Sequence, residues 1–135
     1  MSLDIIFTEN SITKTMLENK CGCTVTVDFE GYQDKDYFIN ITHNLNRMAE
    51  HVPIGNTNLY KVLWHGDELE DPIVKGKQFE DYLYDGISYL IRCKSILLEY
   101  NPENGWGNYD SLLQFTKDCL ALSIQHPNAD VRFSR

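Results

Sequence analysis

Two segments of the chain gather residue types that recognise ligands rather than exchange protons. In Asn40-Ile-Thr42-His-Asn44, strand spacing puts Asn40, Thr42 and Asn44 on one side, alternating with Ile39 and Ile41. Two carboxamides and a hydroxyl then meet where a strand pattern gives way to a helical one. A carboxamide offers both donor and acceptor atoms and does not titrate near neutral pH. The cluster therefore suits recognition of an amide, a nucleobase or a phosphate better than proton transfer. A structural role competes, because Thr42 or Asn44 could cap the following helix, a contribution of about 1 kcal/mol.

The second segment is Asn101-Pro-Glu-Asn104-Gly-Trp106-Gly-Asn108-Tyr109-Asp110. Two glycines flanking a Trp between helical stretches imply a fixed irregular turn, with Asn108 or Asp110 able to accept from the first free N–H groups of the next helix. Trp106 is expected to anchor the loop by plugging the core beneath it. The alternative is a stacking face beside Asn104 and Tyr109. If the two segments meet in space, Asn40, Thr42, Asn44, Asn104, Trp106 and Tyr109 form one ligand-binding set. His43 is a weak candidate general base, with Glu50 or Asp110 as its orienting carboxylate. No Ser or Cys stands in a recognisable nucleophile motif, and a lone His at a helix start is more often structural.

Other chemistry is harder to find. Cys21-Gly-Cys23 could give two thiolates to zinc, but no second pair with ligand spacing follows, and His43, His51, His65 and His126 form no H-x₃₋₅-H. Cys93 and Cys119 fall on apolar helix faces, where free Cys behaves as a small hydrophobe. Asp67, Glu68, Glu70 and Asp71 lack the ligand spacing and central Gly of a calcium loop and read as a solvated acidic loop. The phosphate-loop, dinucleotide, zinc-protease and esterase motifs do not occur. No metal and no cofactor is expected.

The elements that must position these residues follow from periodicity. Leu3 to Thr8 reads as a strand, Ile12 to Leu17 as a weaker one, and Cys23 to Glu30 alternates clearly. Gly31 to Asp34 supplies turn residues before Asp36 to Thr42, so these last two segments are expected to pair as an antiparallel hairpin. Leu45, Met48, Ala49 and Val52 mark one face of a short helix that Pro53 and Gly55 end, and Leu59 to Trp64 adds a turn or two. The longest helical pattern carries Phe79, Tyr82, Leu83, Ile87, Leu90, Ile91, Leu97 and Leu98, and tolerates Gly86 at about 1 kcal/mol relative to Ala. A last helix from Tyr109-Asp110 carries Leu113, Phe115, Cys119, Leu120 and Leu122 and stops at His126-Pro127-Asn128. Val131 and Phe133 suggest a final edge strand. The expectation is a single α+β domain over residues 1–135. It comprises an antiparallel sheet of three to five strands, with three to four helices packed on one side.

Composition narrows the partners. Twelve Lys+Arg against 20 Asp+Glu give a formal charge of −8, which disfavours nucleic acid and anionic membranes and leaves a basic protein as an allowed partner. No apolar run approaches the ~20 residues of a membrane span, and Met1-Ser-Leu-Asp4 lacks a secretory signal, so an intracellular, cytoplasmic protein is expected. Nothing in these features sets an oligomeric state.

The two segments resemble a family of small phage- and prophage-associated proteins of unknown function. Its members carry a strand ending in N-[IVY]-T-x-N and a later N-P-x-N-G-W-G-x-[YF]-[DE], followed by a helix and a short strand. Here the matching residues are Asn40 to Asn44 and Asn101 to Asp110, with Leu112, Leu113 and Phe115 continuing the pattern, then His126 to Asp130. The resemblance spans residues 20 to 135. It implies a phage-linked intracellular context and transfers no catalytic residue. The reading that follows is a non-enzymatic accessory protein that binds a basic host protein or a small polar ligand through the six residues above. One alternative is a small enzyme acting on a nucleotide-like metabolite with His43 as base. Another is that both motifs are structural and a partner binds the acidic surface.

Overall fold

The computed structural model describes residues 2–10 and 34–135. Strand β1, Ser2–Asn10, is the middle strand of a sheet ordered β2-β1-β5 among the described residues. It pairs antiparallel with β2, Asp34–Thr42, from Ser2 opposite Thr42 to Asn10 opposite Asp34. On its other side lies β5, Asp130–Ser134, also antiparallel, with Asp4 opposite Ser134 and Thr8 opposite Asp130. Alternation sets the two faces: Leu3, Ile5, Phe7 and Ile41 are buried, while Asn40 and Phe38 point the other way and are exposed. The expected strands at Ile12–Leu17 and Cys23–Glu30, the turn residues Gly31 to Gln33 and the Cys21/Cys23 pair lie outside the described residues.

The helical expectation for residues 45–52 holds in detail. A 3-10 turn, His43–Leu45, runs into α1, Asn46–Glu50, and Leu45, Met48, Ala49 and Val52 are all fully buried. A small hairpin of β3, Pro53–Ile54, and β4, Thr57–Asn58, reverses the chain. The Asn58 side chain then caps α2, Leu59–Trp64, accepting from Lys61 N at 2.9 Å.

The long helix expected over residues 79–98 is divided. α3, Glu80–Arg92, ends at Cys93, whose backbone is non-helical, and α4, Lys94–Leu97, begins as Ile96 and Leu97 donate to the Cys93 carbonyl. Two residues assigned to the apolar face point outward: Ile91, within α3, is 58% and Leu98, just after α4, 42% exposed. α5, Tyr109–Gln125, packs against α3 and β2, with Leu112, Phe115 and Cys119 buried. Thr116 and Ser123 are buried beside them because each hydroxyl donates to the carbonyl one turn back, at 2.7 and 2.8 Å. Burial pushes the Cys119 thiol pKa far up and keeps it an inert packing group. The described chain is thus an α+β arrangement of five helices, a three-stranded antiparallel sheet and a two-stranded one. No helix of the described residues is long and apolar enough to cross a membrane.

Part of the acidic loop is an anchor rather than a solvated turn. Arg135 donates to the Trp64 carbonyl at 2.9 Å and to Asp67 Oδ1 at 2.8 Å, and reaches Asp67 Oδ2 and Glu68 Oε1 at 3.3 Å. The residue following β5 is thereby tied to the end of α2. The Arg135 hydrogen bond is the main reason that the Asp67 carboxyl titrates below its ordinary value of 3.8. The folded carboxyl binds its proton less readily than the unfolded one, so the stabilisation is present above the unfolded pKa and is lost as pH falls through the folded one. With 42% of the Asp67 side chain exposed, screening holds this below about 1 kcal/mol. Urea unfolding at successively lower pH is expected to show wild type losing more stability than Asp67→Asn below about pH 4. Parallel curves would remove the pair from the stability of the fold.

Candidate functional site

The end of β2 is shaped by its own polar residues. Thr42 Oγ1 accepts from Asn44 N at 3.3 Å and starts the 3-10 turn, the capping role open to it from the sequence. Two residues earlier, Asn40 stands opposite Asp4, and its Nδ2 donates to Asp4 Oδ1 at 2.6 Å and to Ser2 Oγ at 3.0 Å. That fixes the carboxamide plane and leaves Oδ1 as an acceptor.

The second segment holds itself together through its asparagines. Asn101 Oδ1 accepts from Tyr109 N at 2.8 Å, Asn104 Oδ1 from Trp106 N at 3.0 Å, and Asn108 Oδ1 from Ser111 N at 3.0 Å. Asn108 is the N-cap of α5, and Ser111 Oγ accepts in return from Asn108 N. Gly105 and Gly107 adopt φ of +75° and +86°, a region that disfavours any side chain. A Cβ on Gly107 would lie 2.8 Å from Thr42 Cγ2 and 3.0 Å from Leu45 Cδ1, whereas one on Gly105 would meet nothing within 4 Å. Gly107 is therefore where the loop is pressed onto the end of β2.

This contact brings the two segments together. Ser2, Asn40, Thr42, His43, Asn44, Asn104 and Trp106 line one open cleft of about 940 Å³. Five of the six residues expected to bind ligand are among them. Tyr109 is not: it is 2% exposed, its hydroxyl donates to the Leu90 carbonyl at 2.5 Å, and burial raises its pKa. The plug expected of Trp106 is thus Tyr109, and Trp106 is 70% exposed. The reversal has a local cause. Glycines with left-handed backbone flank residue 106, whose side chain is left exposed, while the first residue of α5 is buried beneath the loop. Ser2 was missed from the sequence because only its register opposite Thr42 brings it to the cleft.

His43 is oriented by a contact with no sequence signal. Trp64 Nε1 donates to His43 Nδ1 at 2.9 Å. An indole N–H can only donate, so Nδ1 must carry the lone pair, and the neutral ring bears its proton on Nε2. In this arrangement His43 presents a donor and has no free basic nitrogen. No Lys, Arg, Asp or Glu among the described residues lines the cleft, and Asp4 stands behind it on Asn40. Among the described residues, no group of three or more His, Cys, Asp or Glu side chains could hold a metal ion.

Two measurements check this geometry. Gly105→Ala and Gly107→Ala should each cost about 1 kcal/mol for positive φ, and Gly107→Ala should cost about 1–3 kcal/mol more for the crowding against Thr42 and Leu45. Equal shifts in urea midpoint would place the loop away from β2. Long-range ¹H–¹⁵N NMR spectra should show His43 as the Nε2–H tautomer in wild type, and Trp64→Phe should release that preference; an Nδ1–H tautomer would break the Trp64 contact. Comparison of the chain with protein-family models, with curated proteins and with solved structures finds no match.

Proposed function

We propose that this chain is a non-enzymatic accessory protein, phage- or prophage-linked and cytoplasmic, that binds a host protein or small polar ligand through the cleft between β2 and the Asn101–Asn108 loop. The observation that carries the reading is the exposed Trp106 held by a loop whose carboxamides are spent on its own backbone. A large apolar side chain left 70% exposed on a fixed turn offers apolar area that a bound partner would remove from water. Tyr109 already anchors the loop, so stability does not require an aromatic at 106. The tautomer of His43 weighs against the enzyme alternative, because a general base needs a free lone pair. Engagement of Asp67 and Glu68 by Arg135 weighs against a partner docked on that acidic loop. The charge of −8 would still steer a basic protein toward the molecule.

Site and scaffold separate by mutation. Trp106→Ala and Asn44→Ala should leave the urea midpoint within about 0.5 kcal/mol of wild type, as exposed positions do, and abolish capture of the partner or ligand from host lysate. Asn108→Ala should lower stability by about 1 kcal/mol through loss of the cap and leave capture intact. If Trp106→Ala lowers stability and keeps capture, the indole is structural and the cleft is not the site.

A further inference from the structure

We propose that the cleft takes an uncharged carbohydrate, with a sugar ring stacked on Trp106 and its hydroxyls bonded by the surrounding side chains. The inference rests on the reading of this cleft as a binding site and adds the class of ligand. Its first support is charge. Among the described residues, the lining holds hydroxyls, carboxamides, an imidazole and an indole, with no cation to balance a phosphate or carboxylate and no anion to balance an amine. A charged ligand would shed water there without a counter-charge. Asp4 behind Asn40 and the overall charge of −8 further oppose an anion.

The second support is the pattern of donors and acceptors. A sugar presents adjacent hydroxyls, each both donor and acceptor, and a carboxamide offers an N–H and a C=O side by side. Asn40 keeps its Oδ1 as an acceptor because Nδ2 is held by Asp4 and Ser2. Asn104 keeps its NH₂ as a donor because Oδ1 is held by Trp106 N. His43 keeps Nε2–H as a donor because Nδ1 is held by Trp64. Each group is thus fixed in one role by a bond to the protein, which lowers the ordering cost of binding. The third support is the indole face. Its negative π cloud attracts the polarised C–H bonds of a pyranose, and its apolar area covers the hydroxyl-poor side of the ring. The cleft is open, and about 940 Å³ lies at the upper end of the range of about 300–1,000 Å³ for small-molecule sites, so a segment of an oligosaccharide fits better than a buried monosaccharide.

The test is a titration of the ¹⁵N-labelled full chain, read on the Trp106 indole N–H and the Asn44 and Asn104 side-chain NH₂ signals, with the backbone amide of buried Ser123, near the far end of α5, as internal reference. The probes are neutral gluco-, manno-, galacto- and N-acetylated oligosaccharides. Glucuronate, glucosamine, nucleosides and short basic peptides form the comparison arms. The expected result is saturable movement of the three signals with at least one neutral oligosaccharide, weakened about tenfold or more by Trp106→Ala and retained with Trp106→Phe. Movement with a nucleoside, a charged sugar or a peptide while all neutral oligosaccharides are silent overturns the carbohydrate inference and leaves the binding site standing. Silence in every arm, together with host capture unchanged by Trp106→Ala, overturns both.

Discussion

The close approach of Gly107 to Thr42 and Leu45 is the constraint on which the rest of the site depends. Contacts this tight allow no Cβ, and the backbone at Gly107 has left the region in which other residues are comfortable. Thr42 takes part three times over. It pairs with Ser2 in the sheet, starts the turn into α1 with its hydroxyl, and offers its methyl group to Gly107. The strand end, the helix start and the distant loop therefore share one side chain. A shift of any of them would open the cleft.

A division of labour within the loop follows from that seat. Tyr109 fills the core position beneath it, with its N–H held by Asn101 and its hydroxyl by the Leu90 carbonyl. Trp106, between two glycines, is released from packing. Asparagines are prominent here for a physical reason: each supplies an acceptor to a backbone N–H that the irregular turn leaves without a helical partner. In Asn104 one end of the carboxamide fixes the loop and the other faces the cleft.

The electrostatics of the molecule have a similar split. Among the described residues, no acidic side chain lines the cleft, and Asp67 and Glu68 are occupied in holding Arg135 beside the end of α2. The net charge and the lining of the cleft are thus supplied, among the described residues, by different side chains.

Much of this was legible in the amino-acid order, because it depends on neighbours along the chain. A short apolar run marked β1, alternation marked β2, Val131 and Phe133 marked β5, and the spacing of Leu45, Met48, Ala49 and Val52 marked a buried helical face. Asn and Gly types marked the loop and the start of α5, and the two segments that line the cleft were identifiable by residue type alone. Tertiary packing decided the remainder. Which aromatic fills the core depended on backbone direction at Gly105 and Gly107, a torsional choice that residue type permits but does not set. The break at Cys93 came with a backbone that leaves the helical conformation at that one residue. The tautomer of His43 depended on Trp64, 21 residues away, and the place of Ser2 depended on strand register. Periodicity carries information about which face a residue occupies, and only the folded chain determines which faces touch.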